Sequence, residues 1–425
     1  MRLAWLSPAA GNSGIVEFSR QVLPAVARYA EPELWSHGAP QTPPPGIPVI
    51  DYASDPEALL RLASYDAVVY HLGNHLAFHR AEYDAAVRVP GVVVLHDRTL
   101  HHFFAGYYVT YLRRPDLYLA RMTALYGERG REVGEAVIAQ RGEQSWQRPD
   151  EVLEHAFIED ALANALGAVV HSAGHAAAVS ERWAGPLVHL PMPAYDSQLA
   201  LAPAAPPERS AGTPITLMSV GHVDRSKQIL TVIEALTSAP QLAARVRYFV
   251  VGQYDPRNPY VRDLHRTIAD AGLADKVTLL GYESPAALQH HIASADVFLN
   301  LRFPNLESGS ASLMEQLASG RPVLAYDSGA YGELPDGTVV RVPAGDTEAL
   351  LAALDGLVRD AGLRERTGAA GRAHAESRRV DAYAQALVNF TGDANAWRAK
   401  RRLADSVGEK LRGLGLRPTD PAVAS

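Results

Sequence analysis

Val297-Phe298-Leu299-Asn300-Leu301, then a loop from Arg302 to Gly309, then Ser310-Ala311-Ser312-Leu313-Met314-Glu315-Gln316-Leu317-Ala318-Ser319-Gly320, then Arg321-Pro322-Val323-Leu324, is the stretch on which the fold turns. It opens on a continuous apolar run, passes a polar loop, enters helical spacing and closes on a second apolar run. Runs without polar alternation suit strands covered on both faces, as in a parallel α/β sheet. Glu307 falls in the loop and Glu315 on the helix, eight positions later. Gly309, Ser310, Ala311 and Ser312 are small, so backbone amides at the helix start can approach a ligand closely. Unpaired amides and the helix dipole favour a phosphate there. Glu315 lies more than a turn further in, where a carboxylate can accept bonds from two ribose hydroxyls.

The same alternation extends outward. Ile215 to Val220, Tyr248 to Val251, Val277 to Leu280 and Pro322 to Tyr326 read as buried strands, with helical patterns over Gln228 to Leu236 and Pro285 to Ala295. In the first half, Leu3 to Leu6, Ala67 to Tyr70, Val92 to Leu95 and Ala168 to Val170 read the same way. Between the halves, Pro191, Pro193, Pro203, Pro206, Pro207 and Gly212 interrupt any regular element and mark a linker. A chain of 425 residues suits two domains. The pattern predicts two doubly wound, Rossmann-like α/β domains, residues 1–192 and 214–385, facing an interdomain cleft. Residues 386–425 are expected to form a C-terminal helix that returns toward the first domain, followed by a polar tail after Pro418. Residues 103–166 read as a helical insert.

Hydrophobic residues make up 47% and charged residues 20%, the balance of a soluble globular protein. The absence of cysteine excludes disulfides and thiolate metal sites and fits a reducing cytoplasm. A formal net charge of -7 gives no global basic field for nucleic acid. The apolar start, Met1 to Leu6, is too short for a signal peptide or a membrane span.

A second constellation, Ser219-Val220-Gly221-His222-Val223-Asp224-Arg225-Ser226-Lys227, follows the first strand of the second half. Gly221 permits a tight turn at a strand end, where open α/β sheets bind ligands. Arg225 and Lys227 are placed to neutralise a leaving diphosphate, and such groups are each worth about 3 kcal/mol or more in a dry site.

Glu307 through Glu315, followed by Leu317-Ala318-Ser319-Gly320-Arg321-Pro322-Val323, resembles the E-x7-E signature of retaining glycosyltransferases of family four, which have the GT-B fold. Ser219-Val220-Gly221 with Lys227 resembles that family's diphosphate turn. Val277-Thr278-Leu279-Leu280-Gly281-Tyr282 resembles its base-contacting segment, and Gly11-Asn12-Ser13-Gly14-Ile15-Val16-Glu17-Phe18 its glycine loop. His71-Leu72-Gly73-Asn74-His75 and the stretch from Gly91 to His102 resemble a subgroup acting in glycan and polysaccharide assembly. The resemblance implies a cytoplasmic hexosyltransferase that moves sugar from a nucleoside diphosphate to a hydroxyl acceptor, with retention and without metal or other cofactor. It implies that Lys227 holds the diphosphate, with Gly221 and the Gly14 amide beside it, and Arg225 is read as the replacement for the family's arginine. Glu315 would bind the ribose, Glu307 the donor sugar, and Tyr282 the base. Ser308, Gly309, Ser310, Ala311 and Ser312 would supply donor contacts. His96 would face the transferred sugar, with Asn74 and Asp97 on the acceptor side.

Three departures bear on the donor site. His222 stands where many relatives carry arginine, Gln228 where they carry glycine, and Ser308-Gly309-Ser310 replaces the common Gly-Phe-Gly. His71, His75, His96, His101 and His102 form no H-E-x-x-H or comparable frame, so no metal site is read from them. Tyr107, Tyr108, Tyr111, Tyr118 and Tyr126 alternate with Arg113, Arg114, Arg121, Arg129 and Arg131. They read as a packed helical insert with snorkelling arginines, the alternative being an acceptor platform or a surface for anionic lipid. The competing functional classes are a nucleotide-sugar epimerase or sugar phosphorylase on the same scaffold, and a non-catalytic nucleotide-sugar binder.

Overall fold

A computed structural model of the chain describes residues 1–8, 13–55, 57–142, 144–148, 151–200 and 212–413. Gly11, Asn12, Pro203, Pro206, Pro207 and the tail after Pro418 lie outside the described residues.

The continuous apolar runs become the central strands of two parallel sheets. Among the described residues the first sheet comprises β1 (Arg2–Leu6), β2 (Glu31–Ser36), β3 (Val49–Asp51), β4 (Ala67–Leu72), β5 (Val92–Leu95), β6 (Gly167–Val170) and β7 (Leu187–His189), in the order β3-β2-β1-β4-β5-β6-β7. The second comprises β8 (Ile215–Val220), β9 (Val246–Val251), β10 (Val277–Gly281), β11 (Val297–Asn300), β12 (Val323–Tyr326) and β13 (Val340–Val342). Its order is β10-β9-β8-β11-β12-β13. Strand neighbours such as β1 with β4 and β8 with β11 pair in parallel. All of the residues in β4, β5 and β11 are buried, which explains why their sequences show no alternation.

In both sheets the winding reverses beside the first strand, between β1 and β4 and between β8 and β11. Loops leaving the carboxyl ends of such strands diverge and open a crevice. The two crevices face one another. Residues 103–166 are largely helical, including Pro115–Ile138. Several of their tyrosines and arginines are engaged within the first domain. The Tyr107 hydroxyl donates to Asp84 at 2.7 Å and that of Tyr108 to Asp160 at 2.8 Å. Arg121 pairs with the same Asp160, and Arg129 with Glu151 at 2.7 Å. This is the packed-insert arrangement.

The domains share an apolar core that runs from Trp5 and Phe18 through Met192 to Met218, Phe298 and Leu317. The helix Val380–Gly413 leaves the second domain and lies on the first, against the helix Gly14–Val26 and β4. Asp381 anchors its start, accepting from Arg28 at 2.7 Å and from the Tyr29 hydroxyl at 2.8 Å. Further along, a Cβ on Gly167 would sit 2.9 Å from the Phe390 ring, so glycine there admits the helix. Glu333 of the second domain accepts the N–H groups of Ala173 (2.7 Å) and Gly174 (2.8 Å), capping the first-domain helix Ala173–Ser180. Glu333→Ala removes this cap and is expected to cost about 1 kcal/mol, read as a lower denaturant midpoint at unchanged slope. An unchanged midpoint would show that the cap contributes nothing.

Candidate active site

The crevices merge into one cleft of about 620 Å³. First-domain loops line it with Gly14, Asn74, His96 and Asp97, and second-domain loops with Gly221, Lys227, Arg302, Glu307, Gly309, Ala311 and Ser312. Each loop follows a strand end: β4 precedes Asn74, β5 precedes His96, β8 precedes Gly221, and β11 precedes Arg302.

Lys227 is set by a short turn. Asp224 accepts the Ser226 N–H at 2.8 Å, a 3₁₀ turn spans Arg225–Lys227, and Gln228 takes a left-handed conformation (φ 56°) before the helix Ile229–Ser238. The lysine then runs back beneath β8 and donates from Nζ to the Val220 carbonyl at 3.1 Å. Gly221 fits its φ of +115°, where a side chain would be strained, and a Cβ there would press on the Lys227 ammonium at 2.9 Å. Burial, with Arg302 nearby, draws the Lys227 pKa down to about 8, against the pull of Glu307 and Asp224.

Arg302 pairs with Glu307 Oε1 at 3.0 Å. The other carboxylate oxygen, Oε2, has no protein partner, and so is placed to accept from a ligand hydroxyl. Ala311 and Ser312 open the helix Ala311–Ala318, whose first N–H groups have no partner within the helix. A dianion held between Lys227, Arg302 and these amides would meet two cations and the positive end of a helix.

The two domains join at the cleft floor through backbone. The Arg98 N–H donates to the Leu306 carbonyl at 2.7 Å, the Ser308 N–H to the His96 carbonyl at 2.8 Å, and Asp97 stands opposite Glu307 in antiparallel register. Asp97 accepts the Asn74 N–H at 2.7 Å. Burial raises the Asp97 pKa to about 6, opposed by that N–H and reinforced by Glu307. The Asn74 side chain accepts the Phe103 N–H at 3.0 Å, so part of its capacity goes to holding its own loop. His96 is buried to 7% exposure, its Nε2 2.9 Å from His71 Nδ1. Burial and the surrounding histidines push its pKa well below the usual value. Among the described residues no group of His, Cys, Asp or Glu side chains is arranged to hold a metal ion.

Five of the predicted residues stand apart from the cleft lining. Arg225 is turned away: its guanidinium lies 5.2 Å from the Tyr260 ring centroid, in an adjoining groove. Arg302 supplies the second cation instead. It is the first charged residue after β11, and that place at a strand end is its signal in the sequence. Ser308 is fully buried and spans the domains, accepting the His171 N–H at 2.8 Å and lying 2.8 Å from His175 Nδ1. Its side chain therefore joins the domains and faces no donor. Ser310 caps the helix Ala311–Ala318, accepting the Leu313 N–H at 3.3 Å. Tyr282 is 61% exposed at the end of β10. Glu315 sits one turn beyond Ala311 on the same helix face, accepting from Gln289 at 2.9 Å. Burial raises its pKa, and Glu17 across the domain boundary adds to this.

Ser308→Ala leaves buried donors unpaired and is expected to cost about 1–3 kcal/mol of stability while nucleotide affinity stays unchanged. Calorimetry and titration together check this; a selective loss of affinity would return Ser308 to the donor site. The depressed lysine also predicts a pH limit. Below about pH 8 Lys227 is an ammonium and attracts a diphosphate; above it the free protein loses that charge. Nucleoside-diphosphate affinity is thus expected to fall as pH rises through 8, and to lose this dependence in Lys227→Met.

The family model of glycosyl transferases group 1 matches residues 204–374, the segment holding Lys227, Arg302, Glu307 and Glu315. The chain is 35% identical over 161 residues to the phosphatidyl-myo-inositol mannosyltransferase of Mycobacterium leprae (strain TN), covering 37% of this chain and 40% of that protein. It is 29% identical over 147 residues to the amylovoran biosynthesis glycosyltransferase AmsK of Erwinia amylovora, covering 33% of this chain and 35% of that protein. The matched stretch thus spans less than half the length of these curated relatives. In fold, it resembles sucrose-phosphate synthase of Thermosynechococcus elongatus (TM-score 0.62, 17% identity, 95% of this chain and 99% of that one). It also resembles Anabaena Alr3699/HepE, solved with UDP (TM-score 0.59, 15% identity, 92% and 99%). The chain thus has the GT-B fold, and its stretch 204–374 is similar to the glycosyl transferases of group 1.

Proposed function

We propose that the protein transfers a hexose-type sugar from a nucleoside-diphosphate donor to a hydroxyl acceptor in glycan or polysaccharide assembly, retaining anomeric configuration, without a metal ion, and in the cytoplasm. The observation that carries this reading is the pairing of Lys227 and Arg302 at strand ends with Glu307, whose Oε2 has no protein partner, in a cleft both domains line. Relatives support it: the matched proteins carry glycosyltransferase names, and HepE was solved with UDP-glucose.

In this reading Lys227, Arg302 and the Ala311 and Ser312 amides stabilise the charge that grows on the diphosphate as its bond to the sugar C1 breaks. Glu307 orients the sugar through its free oxygen, and Glu315, one turn along, takes the ribose. The acceptor oxygen forms the new bond to C1 on the face the diphosphate leaves, and its proton passes to the departing phosphate oxygen. Positive side chains then fill the role that a divalent ion fills in other sites.

A thermal-shift panel of nucleoside diphosphates and their sugars identifies the donor, since a ligand that binds the folded state raises the melting point. With that donor, Lys227→Ala and Glu307→Gln are each expected to reduce turnover by about 100-fold or more. Full turnover in both variants would refute the assignment. Donor consumed without any acceptor, yielding an epimeric donor, would instead establish the epimerase.

A further inference from the structure

At the inner wall of the cleft, His71, His96 and His171 are buried about Phe18, with Trp5 against His71 and the buried His79 beside His71. Two of these rings declare their tautomers. His79 Nδ1 lies 3.1 Å from the His71 carbonyl oxygen, and His171 Nδ1 lies 2.9 Å from that of Leu190. A carbonyl only accepts, so both rings carry their proton on Nδ1.

The remaining pair is coupled. His71 Nδ1 and His96 Nε2 are 2.9 Å apart, so one proton lies between the two nitrogens. Burial disfavours the charged form of both rings. If His96 supplies that proton, the neutral His71 must carry its own on Nε2. That atom is buried and has no protein partner, and an orphaned buried N–H is among the rarest features of folded proteins. If His71 supplies it, the unmatched atom is only a lone pair. His96 then bears its proton on Nδ1, its one remaining nitrogen, on a residue that lines the cleft.

We propose that His71 is a positioning residue that donates Nδ1–H to His96 Nε2 and thereby fixes His96 as an Nδ1–H hydrogen-bond donor toward the cleft. His71 is itself held rigidly. Its ring stacks on Trp5 with centroids 4.2 Å apart, and Trp5 Nε1 donates to Ser19 Oγ at 3.0 Å. Only the identity of what His96 meets rests on the glycosyl-transfer reading: there it donates to an oxygen of sugar or acceptor and does not accept the acceptor's proton. That proton is left to the departing phosphate.

Nitrogen NMR of the full chain labelled with ¹⁵N-histidine tests the tautomers, with the His96 and His71 signals assigned through His96→Gln and His71→Gln. The proposal requires protonated-type shifts for Nδ1 of both rings and bare-type shifts for both Nε2 atoms. A bare-type Nδ1 on His96 overturns it, whether or not the protein is a transferase. Turnover with the donor and acceptor established for the wild type gives the second readout. His71→Phe is expected to lower kcat about tenfold with donor KM unchanged, and His71→Gln, which keeps an N–H donor, to recover most of it. Equal losses in the two variants would refute the positioning role. Should His71→Phe fail to fold, the wild-type spectrum still decides.

Discussion

Two loops from different domains meet where the Arg98 N–H reaches the Leu306 carbonyl and the Ser308 N–H reaches the His96 carbonyl. This short antiparallel pairing sets the relation between everything the loops carry. His96 and Asp97 stand on one side, Glu307 on the other, and Arg302 is held by Glu307. Backbone pairing leaves little freedom in register, so the spacing between the first-domain histidine and the second-domain carboxylate does not depend on side-chain rotamers. Ser308 and Glu333 reinforce the pairing on one flank, reaching from the second domain to backbone N–H groups of the first.

The electrostatics follow from this closeness. Lys227, Arg302, Glu307 and Asp97 line the same cleft. Arg302 and Glu307 compensate one another, and a pair of this kind contributes little to stability once desolvation is counted. Its use lies in binding. A partly satisfied guanidinium and a carboxylate with one unpartnered oxygen present an anion site and a hydroxyl site side by side, already oriented. Lys227 shows the cost of holding charge in the same space, since it is protonated less readily than a free lysine. A diphosphate bound there would remove that penalty by supplying the counter-charge.

Much of the fold is legible in the sequence because burial on both faces leaves β1, β4, β5 and β11 as largely apolar runs, and β8 as a mostly apolar one. The strands that escape the reading are β2, β3, β7 and β13. β3, β7 and β13 have three residues each, too few for any pattern, and β2 begins Glu31-Pro32-Glu33. The site divides along a similar line. Gly221, Lys227, His96 and Glu307 are legible because they follow directly from strand ends or from a long spacing motif. Arg225 misleads because nearness in sequence to Lys227 is taken as nearness in space. In the 3₁₀ turn that holds both, residues two apart point to different sides. Ser308 and the His71–His96 contact are invisible to local patterns, since each depends on loops brought together only by the packed domains.

The most direct measurement is a crystal structure of the protein with a bound nucleoside diphosphate. The account predicts phosphate oxygens within hydrogen-bond distance of Lys227 Nζ, the Arg302 guanidinium and the Ala311 or Ser312 amide, in the cleft between the two sheets. A diphosphate bound in that crystal away from all three groups, with Lys227 still turned onto the Val220 carbonyl, would contradict it.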